Sequence, residues 1–313
     1  MIYEYAIAIG GGVALDFIFG DPRRMPHLVR AVGWLAVQGE KAVVTTLGRT
    51  VVGGFFLGAG ILAICLGCYL GVVTLLAGWS PWAKVAFDAI VVFQCVAYRD
   101  LVKHVLEVKR GLENSLEQGR QRVSWIVGRD TERMEEDDVC RAAIESGAEN
   151  LNDAVVAPLF WAAFLGPVGA LVFRISNTMD AMVGHRTERF EKLGKVSARI
   201  DDILNYLPAR LCCVLILKLG QCFGWRRLKS DAKKHPSFNA GWPEAAMASR
   251  LGVVIGGRMY EGGELVQTAE MNEGARQPGR DDVEKATQVM GVAYFKLLVL
   301  IALGWSVSAL VLN

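Results

Sequence analysis

Val51-Val-Gly-Gly-Phe-Phe-Leu-Gly-Ala-Gly-Ile-Leu-Ala-Ile-Cys-Leu-Gly-Cys-Tyr-Leu-Gly-Val-Val-Thr-Leu-Leu-Ala-Gly-Trp79 carries no charged side chain. About 20 such residues in a helix cross the hydrocarbon core of a bilayer. Gly53, Gly54, Gly58, Gly60, Gly67 and Gly71 let other helices approach closely. Ser80-Pro81 then marks a turn. Residues 82–98 form a second apolar segment, interrupted by Lys84 and Asp88. Residues 289–311 form another, with Lys296 near its start and able to snorkel. The run 5–19 is broken by Asp16, and Glu4 stands where a signal peptide has a basic residue. It therefore reads as a retained membrane segment. Residues 154–173 are uncharged but contain Pro158 and Gly166-Pro167, which predicts two short helices in a hairpin. Residues 203–224, with Pro208, Arg210 and Lys218, suit a partly buried or interfacial helix as well as a span.

Composition agrees. Of 313 residues, 52% are hydrophobic and 21% charged, and the mean hydropathy is +0.31. A net charge of +2 gives no global field for nucleic acid. The 7 cysteines show no disulfide framework. Cys65 and Cys68 have zinc-like spacing without a second pair, and read as buried small hydrophobes.

The connections 21–50 and 99–153 are rich in Arg and Lys, which places both in the cytoplasm. So is 174–202, which would lie outside if 154–173 crossed completely. A re-entrant hairpin at 154–173 resolves this. The expected fold is mostly α: a polytopic integral membrane protein with about four to five membrane helices and helical cytoplasmic connections. It forms one membrane-embedded domain over 1–313.

Four short segments concentrate the polar chemistry. Gly20-Asp21-Pro22-Arg23-Arg24-Met25-Pro26-His27 is a rigid turn presenting Asp21, Arg24 and His27 at the membrane surface. Gly128-Arg129-Asp130-Thr131 is followed by Glu145, Glu149, Asn150, Asn152 and Asp153. On a helix, 145, 149, 152 and 153 share a face, and such oxygen donors suit Mg²⁺ arriving with phosphates. The bland alternative is a solvated helix face. The third segment runs through Asn177-Thr-Met-Asp180, Gly184-His-Arg186-Thr-Glu-Arg189 and Ser197-Ala-Arg199-Ile-Asp201-Asp202. Its arginines can grip a phosphate or form ordinary ion pairs, and Asp180, Asp201 and Asp202 can add metal ligands. The fourth is Lys234-His235-Pro-Ser237-Phe-Asn239-Ala-Gly-Trp-Pro-Glu244, a structured loop leading into a helix. None is a Walker A loop, and Gly252, Gly256 and Gly257 do not make a dinucleotide fingerprint. Unaided, the residues point to a membrane enzyme or transporter with a polyanion-and-metal site.

In this order the four segments resemble the CbiB/CobD family, the membrane-bound adenosylcobinamide-phosphate synthases of cobalamin biosynthesis. The matches run from about residue 15 to 263 and include Glu149-Asn150 and Val156-Ala-Pro-Leu159. His185, Thr187 and Phe238 depart from the family pattern, which has Tyr, Asn and Pro there. The resemblance implies a ligase that joins an aminopropanol phosphate, or a related amino alcohol phosphate, to a corrinoid carboxyl group as an amide. It also implies ATP as co-substrate. Mg²⁺ would be held by Glu145, Glu149, Asp153 and Asp180. Phosphate and substrate would be bound by Arg129, Arg186, Arg189, Arg199 and Lys234, with Asp21, Arg24, His27, Asn177, Ser237 and Asn239. His235 or Glu244 would be the base. The expected partners are the corrinoid, the amino alcohol phosphate and the bilayer, with no nucleic acid. A homo-oligomer or an association with other enzymes of the pathway is also foreseen. Two rivals are a transporter of a corrinoid or another anion, suggested by Asp16, Asp88 and Lys218 in apolar stretches, and a non-catalytic AmpE-like membrane sensor.

Overall fold

The computed structural model describes residues 2–21, 26–184, 187–218 and 224–312. It is mostly helical, in the order α1 (Ile2–Phe19), α2 (Leu28–Leu47), α3 (Val51–Trp79), α4 (Pro81–Cys95), α5 (Tyr98–Asn114), α6 (Leu116–Val123) and α7 (Glu136–Leu151). A π-helical turn (Asn152–Val156) leads into α8 (Ala157–Leu165), α9 (Pro167–Val183), α10 (Lys195–Ile216), α11 (Trp225–Ala232) and α12 (Gly241–Leu251). The hairpin β1 (Arg258–Glu261) and β2 (Glu264–Gln267) precedes α13 (Arg280–Leu312).

Among the described residues, two helices are long and apolar enough to cross a membrane: Val51–Trp79 and the stretch Arg280–Leu310. Only 11% of the apolar window of the first is buried, so α3 is not the core helix of a water-soluble fold. Trp79 and Trp82 are exposed on either side of the α3–α4 turn, as aromatic rings are at a membrane–water interface.

The chain gathers into two compact units, each built from separated stretches: Met1–Ala97 with Ala157–Asn205 and Ala302–Asn313, and Tyr98–Val156 with Tyr206–Ile301. In the first, small residues set the helix spacing. A Cβ on Gly12 of α1 would lie 2.7 Å from Val92 of α4, and one on Gly54 of α3 would lie 1.9 Å from the Leu193 carbonyl oxygen. The charges of α4 are internally matched. Asp88, buried, accepts from Lys84 at 3.0 Å and from the Tyr69 hydroxyl of α3 at 2.7 Å, and Lys84 also reaches Glu4 at 3.3 Å. The expected break falls at Gly166-Pro167, where the Gly166 φ is +67° and a Cβ on Gly166 would lie 2.7 Å from the Tyr5 ring. The turn is tight enough that a Cβ on Gly169 would be 2.2 Å from the Trp161 carbonyl oxygen.

In the second unit, α7 opens with a reciprocal cap between Glu135 and Asp138, as its acidic start predicts. Two sequence expectations change. The helix bearing the carboxylate stripe ends at Leu151, and the π-helical turn that follows alters the period, so Asn152 and Asp153 do not continue the face of Glu145. Lys296 does not snorkel. Its ammonium donates to the carbonyls of Leu215 (2.8 Å) and Leu217 (3.0 Å), at the end of α10, where the helix leaves acceptors without intrahelical donors.

Candidate active site

The second and fourth polar segments meet inside the second unit. A pocket of about 120 Å³ is lined by Arg129, Glu145, Lys234, His235 and Glu244, with Gly256, Arg258, Met259, Thr268 and Met271. Each side chain is held by local structure. The loop bearing Arg129 is pinned to the β-hairpin, because the Asp130 amide donates to Tyr260 O at 2.9 Å and the Gly263 amide donates to Asp130 Oδ2 at 2.6 Å. Glu145, buried on α7, pairs with Arg129 Nη2 at 2.9 Å and accepts from the Gly256 amide at 2.7 Å. That amide can approach because Gly256 has φ +77° and lies against the Ala269 carbonyl, where a Cβ would sit 2.4 Å away. Lys234 donates to Asp231 Oδ1 and to the Glu270 carbonyl, both at 2.8 Å.

His235 and Glu244 form the titratable pair. Nδ1 of His235 accepts from the Ser237 amide at 2.9 Å, which leaves its other ring nitrogen, Nε2, 3.7 Å from Glu244 Oε1. A neutral ring in this geometry carries its proton on Nε2. Burial holds the imidazole below its ordinary pKa, against a partial rise from the Ser237 backbone and Glu145. Burial also pushes the Glu244 carboxyl well above the usual carboxylate range. Glu145 and Glu149 add to that rise, and Arg129 opposes it. The site thus holds one carboxyl paired with a guanidinium (Glu145) and a second inclined to hold a proton (Glu244).

Other expected binders have structural partners. The Ser237 hydroxyl accepts from the amides of Asn239 (3.3 Å) and Ala240 (3.2 Å), shaping the turn into α12. Asn239 Oδ1 accepts from Arg210 Nη1 at 2.6 Å, and that guanidinium lies over the ring of Tyr206 at 3.8 Å and of Trp242 at 4.9 Å. Glu149 is exposed near the end of α7, and Asp153 accepts from Asn152 at 2.8 Å.

The first and third polar segments belong, for the most part, to the first unit. His27 caps α2, its Nδ1 accepting from the Val29 amide at 3.2 Å, and its Nε2 stands 3.7 Å from Asp21. Burial lowers the His27 pKa, and Asp21 partly restores it. Asn177 and Asn205 donate to the two oxygens of Asp201 at 3.3 and 3.0 Å. Asp180 sits against the end of α9, where a Cβ on Gly184 would be 1.9 Å from Asp180 Oδ1. Arg189 forks onto buried Glu40 (2.9 and 2.7 Å), and exposed Arg199 pairs with Asp202 at 3.6 Å. Arg24 and Arg186 lie outside the described residues.

Among the described residues, no three His, Cys, Asp or Glu side chains gather as a metal set. Glu145 is already engaged by Arg129 and Gly256.

Sequence reading missed the wall formed by Gly256, Arg258, Thr268 and Met271. A signal was present. Arg-Met-Tyr-Glu and Glu-Leu-Val-Gln flank Gly262-Gly263, a pair that suits a two-residue hairpin turn, and both glycines have positive φ (+61° and +82°).

The CobD/Cbib protein family model matches residues 9–290. The cobalamin biosynthesis protein CbiB of Salmonella typhi is 36% identical over 296 residues, covering 89% of this chain and 91% of that protein. The cobalamin biosynthesis protein CobD of Clostridium perfringens is 34% identical over 292 residues, covering 91% and 93%. The CobD of Klebsiella pneumoniae is 34% identical over 293 residues, covering 89% and 91%. No solved structure matches. With the four segments in order and a match along nearly its whole length, the chain belongs to the CobD/CbiB family.

Proposed function

We propose that this protein acts in cobalamin biosynthesis as an ATP-dependent, amide-forming ligase. It would join an amino alcohol phosphate, aminopropanol phosphate in the first instance, to the carboxyl group of adenosylcobyric acid and give adenosylcobinamide phosphate. The observation that carries the reading is the meeting of Arg129, Lys234, Glu145, His235 and Glu244 in one pocket, with Glu244 biased towards its neutral form.

A carboxylate is a poor acceptor for an amine. Phosphoryl transfer from ATP to its oxygen supplies a leaving group, and Arg129 and Lys234 are read as offsetting phosphate charge by exchanging their present partners, Glu145 and Asp231, for it. The amine must then lose a proton before its nitrogen forms the new bond to carbon and phosphate departs. Glu244 is the better base of the two candidates. Its raised pKa makes its anion a stronger proton acceptor than an ordinary carboxylate. The lone pair of neutral His235 is committed to the Ser237 amide, so its Nε2–H is a donor facing Glu244. Mg²⁺ is read as travelling with the ATP phosphates, which suits an ion that keeps few protein ligands.

The protein is further read as a multi-pass protein of the cytoplasmic membrane, with this pocket on the cytoplasmic side. The two apolar helices and the basic connections support that placement. The transporter reading has less support, since buried Asp88 is matched by Lys84 and Tyr69 as a brace between helices.

The test is an end-point assay on detergent-purified protein with adenosylated cobyric acid, aminopropanol phosphate, Mg²⁺ and ATP, reading the corrinoid by mass spectrometry. A mass gain equal to amide formation, lost without ATP, is expected. An unchanged corrinoid from folded protein overturns the reading.

A further inference from the structure

A second pocket, of about 360 Å³, lies in the same unit and is lined by Asp137, Arg141, Arg258, Gln267, Glu270 and Gln277. Arg258 lines both pockets. The segment after β2 serves both as well: Thr268, Ala269 and Met271 line the first, and Gln267 and Glu270 the second. The Glu270 carbonyl meanwhile holds Lys234 of the first pocket at 2.8 Å. The two pockets are thus adjacent and share a wall.

The chemistry of the second lining is balanced. Arg141 is buried and engaged by Asp138, and its Nη1 donates to Gln277 Oε1 at 3.3 Å. Arg258 Nε donates to Asp138 at 3.2 Å, with Asp137 3.9 Å from its other end. Both guanidinium charges therefore have carboxylate partners, and little cationic charge remains for a phosphate. Gln267 and Glu270 are both exposed at the pocket's mouth, and among the described residues the Glu270 carboxylate has no ion pair and the Gln267 amide no hydrogen bond, so both are open to a ligand in exchange for water. Among the described residues, no aromatic ring lines the pocket to serve as a stacking platform for a nucleobase. What remains is an acceptor beside amide groups that both donate and accept. A neutral primary carboxamide matches it: its N–H₂ donates to Glu270, and its carbonyl accepts from Gln267.

We propose that this pocket is a subsite for peripheral carboxamide groups of the large acid whose carboxyl reacts next door, with Glu270 and Gln267 as its specificity-determining residues. The inference rests on the ligase reading, because a corrinoid acid is a substrate with several such amides around the reacting carboxyl. It assigns recognition of the amides to a place outside the reacting pocket.

The test measures binding of cobyric acid to the full-length detergent-purified protein by equilibrium dialysis without ATP, reading visible absorbance. A second corrinoid, with its peripheral amides replaced by methyl esters, keeps the carbonyls and loses the N–H donors. The wild type is expected to bind the amide form about tenfold more tightly, the size of one hydrogen bond to a charged group. Glu270→Ala should bind both forms equally, and Gln267→Leu should weaken both. An amide preference unaltered in Glu270→Ala overturns the proposal while leaving the ligase reading intact. Weakened ATP binding in these variants, with corrinoid binding unmoved, overturns it too. A wild-type protein that binds no corrinoid and forms no amide removes both readings together.

Discussion

Nε2 of His235 faces the buried Oε1 of Glu244 at 3.7 Å, while the Ser237 amide occupies the opposite ring nitrogen. One ring nitrogen is thereby assigned as donor, and the proton-accepting role falls to the carboxyl. Glu244→Gln should lower turnover by about 10²- to 10⁴-fold, the range for loss of a positioned base. His235→Gln should cost less, since it disturbs only the orientation of Glu244. Steady-state rates of amide formation check the order.

Stability should run the other way. A carboxyl whose folded pKa is raised favours the fold while protonated, and that contribution is lost as pH rises through the folded value. Glu244→Gln escapes that loss. Its melting temperature relative to wild type should therefore rise with pH above the usual carboxylate range. Thermal melts of both proteins across pH measure this.

The acid limb of the pH–rate profile reports ionisation of the same carboxyl. Glu145 raises its pKa and Arg129 lowers it. Glu145→Gln should move the acid limb to lower pH, and Arg129→Gln should move it to higher pH. A shift in the same direction for both variants would remove Glu244 as the group responsible.

Arg189 is engaged by Glu40 through two hydrogen bonds, 2.9 and 2.7 Å long. Arg189→Ala and Glu40→Ala should each lower the melting temperature, and the double variant should lose less than their sum. The KM for the amino alcohol phosphate should stay constant in Arg189→Ala. A large rise there would return Arg189 to the substrate.

Gly54→Val places a side chain where a Cβ already meets the Leu193 carbonyl at 1.9 Å, and overpacking of this kind costs about 1–3 kcal/mol or more. Gly60→Ala, which has open space around it, should be neutral in the same thermal-shift assay.

Much of this was legible beforehand. The uncharged run 51–79 fixed a membrane-length helix through hydrophobicity alone, and Gly166-Pro167 located a break because proline cannot donate to the helical ladder. Arg129, Glu145, Lys234, His235 and Glu244 could be singled out by residue type. Their meeting could not, because it depends on the Gly256 amide reaching Glu145 and on a hairpin anchoring Asp130. Local sequence carries no information on such distant partners. The occupied state of Arg189 was hidden for the same reason, since Glu40 lies far away along the chain. The carboxylate stripe misled, because a π-helical turn shifts the angular period that the face argument assumed.

The seat of Gly54 against Leu193 also orders events during synthesis. The helix 51–79 leaves the ribosome and can enter the bilayer long before residue 193 exists. Until then the bare backbone at Gly54 is a vacant berth, narrow enough that only a close-packing neighbour can fill it. A nascent chain stalled in this interval displays that berth to any passing helix. Completion of this contact is thus a late docking of the chain near Leu193 onto a helix made long before it.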